Sequence, residues 1–183
     1  DLLSREFAHT RRKNLLLRDL DELVNQQLAK MLFANPQRSD YYDRYQEIID
    51  AYNAEQNRAT IEKTFMDLME LASSLDTEQQ RYVREGFSSD EELSVYDLLF
   101  SENLTKQEIE TIKKVSVDLL TKIKQQIAKL DHWTDKQETK AIVDNLIRKT
   151  LWQELPNSYD VSDIQTYQKK IYEYVYMRYP EVA

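Results

Sequence analysis

The chain has 183 residues and a formal net charge of −8, with 41% hydrophobic and 32% charged residues, one glycine, three prolines and no cysteine. That length can bury roughly 70% of the unfolded surface, the composition is too apolar for wholesale disorder, and the absence of cysteine excludes disulfides and thiolate metal sites. A single glycine, Gly86, excludes phosphate-cradling loops, dinucleotide-binding turns and nucleophile elbows, which need several glycines for positive φ or close backbone approach.

What remains is a chain of helices joined by short polar turns. The first helix is expected from near Arg5 or Thr10 through Leu20, Val24, Leu28 and Met31, stopping at Asn35-Pro36 because a residue before proline leaves the helical region. A second starts near Ser39 and carries Tyr42, Tyr45, Ile48, Ile49 and Tyr52 at helical spacing. Ile61, Phe65, Leu68, Met69, Ala72 and Leu75 mark a third. A short fourth, capped by Asp76 or Thr77, ends at Gly86 in left-handed geometry. Ser88 with Glu91 and Thr105 with Glu108 match the capping box. They open a short fifth helix over Leu93, Tyr96, Leu98 and Leu99 and a long sixth ending near Leu130. A seventh is expected from Thr134 to Trp152, and a last from Asp160 or Ser162 to Arg178. The expected fold is all-α, a compact bundle of seven to eight helices in one domain over residues 1–183, with 1–35 as a leading helix and 36–183 as the core.

No stretch approaches the roughly 20 apolar residues of a membrane span, and the first residues lack a signal-peptide layout, so the expectation is a cytoplasmic protein with no membrane partner. The chain opens at Asp1 rather than methionine, which suggests a fragment of something longer. Charge is uneven: residues 1–103 carry 12 basic and 21 acidic side chains, 104–152 carry 10 and 7, and 153–183 carry 3 and 5. A protein living on nucleic acid alone has a stronger basic bias, so any DNA contact has to be local.

The search for catalytic residues is negative, and no metal site is expected. Glu6-x-x-His9 has half the spacing of a di-iron bundle, which needs a second such pair and two more carboxylates; His132 has no counterpart motif. Glu138-x-Lys140 imitates the end of a nuclease motif, but acids and lysines are abundant enough for such pairs to arise by chance. In the sixth helix Ile109, Ile112, Leu119, Leu120, Ile123, Ile127 and Leu130 share one arc, flanked by Lys106, Lys113 and Lys124 on one side and Lys122 and Lys129 on the other. The bland reading is a solvated face with lysine stems beside a buried stripe. The functional one is a phosphate-contacting face of Lys113, Lys114, Lys122, Lys124 and Lys129, joined by Arg148 and Lys149. Arg11, Arg12 and Lys13 pose the same choice.

The last helix carries Ile164, Tyr167, Ile171, Tyr174 and Val175 as one stripe, and Tyr172, Tyr176 and Tyr179 widen the aromatic arc beyond what one buried face needs. Either this helix is central in the bundle, or its second face meets a partner, for which tyrosine is well suited.

Three stretches together carry a resemblance: YYDRYQEIIDAYN from Tyr41 to Asn53, RYVREGFSSDEELSVYDLL from Arg81 to Leu99, and the closing pattern from Trp133 through LPNSYD (Leu155 to Asp160) to IYEYVYMRY (Ile171 to Tyr179). In order and spacing they resemble the C-terminal helical region of the R subunit of type I restriction-modification enzymes, over nearly the whole chain from Asn35 to Tyr179. Phe87-Ser88-Ser89 is a residue longer than the family pattern, and the segment before Asn35 matches more loosely.

The resemblance implies a parent chain that is a type I site-specific deoxyribonuclease with ATP-dependent translocase activity, whose nuclease and motor domains, with their ATP and Mg2+, lie outside this sequence. It implies no catalytic residue and no cofactor here. It associates the helical tail with assembly onto the methyltransferase and specificity subunits, for which Tyr172, Tyr176 and Tyr179 are the candidate contacts. The alternative is a module that contacts double-stranded DNA and guides it during translocation, through the basic residues named above.

Overall fold

The computed structural model describes Phe7 and residues 13–55 and 57–180, and the following concerns those residues. Eight α-helices and one 3-10 turn form them, so the all-α expectation holds. They fall into two compact units, Asp1–Gly86 and Phe87–Ala183, each with its own core.

In the first unit Leu17, Leu20, Val24, Leu28 and Met31 recur every three or four residues and are all buried on α1 (Lys13–Ala34). The helix ends at Asn35, whose wholly buried side chain accepts from the Gln37 backbone N–H at 3.1 Å and opens the 3-10 turn Pro36–Arg38. Proline at the first position of that turn loses no needed donor. Helix α2 (Ser39–Ala54) and α1 both pack on α3 (Arg58–Gln79), which buries Phe65, Leu68, Leu71 and Leu75 completely. Each such side chain contributes about 1.5–3 kcal/mol of transfer free energy. Phe7 stacks on Phe65 with centroids 3.8 Å apart, and the Tyr45 hydroxyl donates to Asp21 on α1 at 2.8 Å.

The break expected at Asp76 or Thr77 does not occur. Leu75 and Glu78 are both buried, so the core-facing register carries α3 on to Gln79, and the Thr77 hydroxyl donates back to the Ser73 carbonyl at 3.0 Å instead of capping a new helix. The short α4 (Arg81–Arg84) follows, and Gly86 closes it at φ +84°, the left-handed geometry expected of it.

The second unit closes four helices into a ring: α5 (Asp90–Leu99) packs on α6 (Lys106–Ile127), α6 on α7 (Gln137–Glu154), α7 on α8 (Val161–Arg178), and α8 back on α5. Thr105 and Glu108 form the expected capping box, and Asp160 with Asp163 forms another at the start of α8. The α5 cap lies one residue later than expected: Ser89 accepts from the Glu92 backbone N–H, while the Glu92 carboxylate takes the N–H of Ser88. Helix α7 begins at Gln137 rather than Thr134, because residues 131–135 form turns around a buried Trp133.

Candidate functional site

The turn between α6 and α7 sets the geometry at one end of the second unit. His132 adopts φ +45° and holds the chain so that Trp133, 1% exposed, points inward. The indole N–H donates to the Tyr179 carbonyl at 2.6 Å, and the Thr139 hydroxyl donates to the Trp133 carbonyl at 2.7 Å. Trp133 thereby ties this turn to the end of α8.

Tyr172 and Tyr176 stand edge-on to the Trp133 ring, with centroids 6.2 and 5.7 Å away, a favourable arrangement for the ring quadrupoles. Tyr172 is half-buried, Tyr176 is 40% exposed, and the neighbouring Met177 is 62% exposed. The Lys140 ammonium on α7 lies 5.7 Å from the Tyr176 ring centre. The aromatic arc of α8 is therefore divided. Ile164, Ile171, Tyr174 and Val175 face the core, while Tyr172 and Tyr176 form an outward edge braced from below by Trp133.

Tyr179 belongs to the inner set. Its hydroxyl is buried beside Tyr174, with which its ring makes an edge contact at 6.4 Å. Burial, reinforced by the adjacent Tyr174 and Glu91, pushes its phenol far above the ordinary range. Of the three tyrosines expected at an interface, two present surface and one is largely structural.

Four of the basic residues expected at a phosphate, Lys13, Lys113, Lys122 and Lys124, are already engaged. Lys122 pairs with Glu154 and Lys124 with Glu91. Arg178 reaches Glu91 at 3.9 Å, and Lys113 lies 5.9 Å from the ring centres of both Phe87 and Tyr96. Burial raises the Glu91 pKa, but Lys124, Tyr179 and Arg178 outweigh it and hold the carboxyl below its ordinary value. Lys13 pairs with Glu62 at 2.5 Å; Arg11 and Arg12 lie outside the described residues. Lys114, Lys129, Arg148 and Lys149 are exposed, and among the described residues no ion pair joins them to a carboxylate.

Sequence reasoning missed a groove of about 530 Å³ between α7 and α8. Arg148, Lys149 and Trp152 line it from α7, and Val161, Ile164 and Gln168 from α8. Trp152 is 59% and Val161 55% exposed, so apolar surface lies open at the mouth. The signal was present in the spacing: Asn145, Arg148, Lys149 and Trp152 recur at helical intervals opposite the buried Val143, Ile147 and Leu151.

Among the described residues no group of three His, Cys, Asp or Glu side chains could hold a metal ion, and no helix is long and apolar enough to cross a membrane. The chain, with one glycine, has no glycine-rich loop of the kind that cradles a nucleotide phosphate.

The family model of the C-terminal region of type I restriction enzyme HindI endonuclease subunit-like proteins matches residues 1–179. The chain belongs to that family. No curated protein and no solved structure matches it. As a member of this family, the chain carries the braced edge of Tyr172 and Tyr176 and the open groove beside Trp152, both in its second unit.

Proposed function

We propose that this helical region is a non-catalytic docking module that joins the DNA-translocating, ATP-dependent endonuclease subunit to the methyltransferase and specificity subunits of a type I restriction complex. The observation that carries this reading is the outward edge of α8. Tyr172 and Tyr176 are held against a buried tryptophan, so they offer aromatic area with little rotamer entropy left to lose on binding. Interface cores favour such rigid aromatic anchors with a polar tip, and Lys140 and Met177 add the charged and flexible contacts found around them.

The test replaces Tyr172 and Tyr176 with serine and asks for co-purification with the methyltransferase and specificity subunits. A helical circular-dichroism spectrum with co-purification lost supports docking through this edge; a folded double variant that still co-purifies refutes it. Tyr179→Ser is not a substitute, because that side chain is largely inward and its loss acts through folding.

A second reading, contact with duplex DNA, draws on the exposed cations Lys114, Lys129, Arg148 and Lys149. It requires duplex binding that weakens steeply with salt and that charge reversal at Lys114 and Lys129 reduces further.

A further inference from the structure

We infer that the groove between α7 and α8 receives an acidic amphipathic helix of a partner protein, lying along about two turns of the helix pair. The inference rests on the docking reading and gives it a second contact, of stated chemistry. On α7 the groove is lined at positions 145, 148, 149, 152 and 153, and on α8 at 161, 164, 165 and 168. Both walls include i, i+3, i+4 and i+7, the pattern by which two helices present a continuous seam to a third.

The chemistry of the seam selects the occupant. Trp152, Val161 and Ile164 supply apolar surface, and Trp152 and Val161 are more than half exposed. An incoming leucine or aromatic side chain would cover area that is now wet. Arg148 and Lys149 stand beside it, and none of the lining residues is acidic, although the chain as a whole carries −8. The Arg148 guanidinium donates to the amide oxygen of its neighbour Asn145 at 2.8 Å and keeps further donors for a carboxylate.

A local cationic seam on a chain of net charge −8 attracts an acidic segment more than the chain as a whole does, which favours this place for it. Nucleic acid fits less well. Two cations cannot track a run of phosphates, and the net charge of −8 on the chain opposes a long polyanion.

The test uses the 183-residue chain and its two tryptophans, Trp133 buried and Trp152 exposed. The probes are a synthetic helical peptide with leucines at helical spacing flanked by glutamates, the same peptide with lysines in place of the glutamates, and a short DNA duplex. The acidic peptide should shift tryptophan emission to the blue and protect it from acrylamide, and the lysine peptide should bind about tenfold or more weakly. Arg148→Glu with Lys149→Glu should invert that preference, and Trp152→Ser should abolish the emission change and weaken binding about tenfold by calorimetry. All these side chains are exposed, and circular dichroism checks that the variants fold.

Equal binding of the two peptides overturns the inference, as does an unchanged preference in the charge-reversed variant. Protection of Trp152 by the duplex but not by the acidic peptide gives the groove to nucleic acid. Oligomerisation lost on Trp152→Ser gives it to a second copy of the chain. The methyltransferase and specificity subunits separate the two levels. If they bind the Trp152→Ser and charge-reversed chains undiminished, the groove inference fails and docking stands. If they do not bind the unsubstituted chain, docking fails and the peptide response alone decides the groove.

Discussion

Arg38 is 3% exposed and its guanidinium donates through Nε to Glu78 at 2.9 Å, while Glu78, 10% exposed, also accepts from Arg81 at 2.7 Å. The pair links the 3-10 turn to the end of α3 inside the first unit. Replacing Glu78 with glutamine preserves shape and removes the charge that faces the buried guanidinium, and breaking comparable buried pairs costs about 3–5 kcal/mol. Arg81 is 27% exposed and recovers solvation, so the lower end, about 3 kcal/mol, is expected. For a chain of this length that lowers the melting temperature by roughly 6–12 °C. Thermal melts followed by circular dichroism measure it, with Glu70→Gln as the control. Glu70 is 73% exposed and pairs with Arg44 at 2.8 Å, and a surface pair of that kind contributes about 0–1 kcal/mol. Arg38→Met combined with Glu78→Leu should regain much of the loss, since buried pairs replaced by apolar groups are often neutral. A Glu78→Gln melt indistinguishable from that of Glu70→Gln would refute the reasoning.

Three further outcomes are expected. Trp133→Phe removes the indole donor and leaves the Tyr179 carbonyl without that bond, at a cost of about 1–3 kcal/mol readable as a shift in the urea midpoint. An unchanged midpoint would mean that the tie between turn and helix carries no stability. The lowered pKa of Glu91 means that its contribution is fully present above the ordinary carboxylate value of 4.5 and is lost as the pH falls through the lower folded value. Glu91→Gln should therefore flatten the acid side of the stability profile, and a profile of unchanged slope would count against it. At Gly86 an added Cβ meets nothing within 4 Å, but φ is +84°; Gly86→Ala should cost about 1–2 kcal/mol through backbone strain alone, and a neutral or stabilising result in chemical denaturation would contradict that.

Much of the fold was legible because its signals are local. Thr105 with Glu108 and the stripe from Ile112 to Ile127 define α6 from sequence alone. Errors fell where two local registers compete or where tertiary packing decides. Ser88-Ser89 and Glu91-Glu92 offer the same capping pattern twice, and only the structure selects Ser89 with Glu92. Asp76 and Thr77 look like a helix start, yet burial of Leu75 and Glu78 carries α3 through them. The start of α7 was misplaced because Trp133 is pinned by a carbonyl 46 residues later in the chain.

The candidate surface was half legible. The excess of tyrosine on the last helix was visible, but its division into an inner Tyr174 and Tyr179 and an outer Tyr172 and Tyr176 depends on where α5, α7 and Trp133 meet α8. Likewise Lys122 and Lys124 read as open cations until Glu154 and Glu91, each about 30 residues away in sequence, are brought against them. The groove was missed because its two walls come from separate helices, so the spacing on α7 reads alone as a solvated face.

Docking is tested most directly by calorimetric titration of the chain into purified methyltransferase and specificity subunits at low and high salt, with and without duplex DNA. The account predicts binding in the absence of DNA, little weakened by salt and abolished by Tyr172→Ser with Tyr176→Ser. Heat released only when duplex is present, and lost as salt rises, would contradict it and move the function to the exposed lysines.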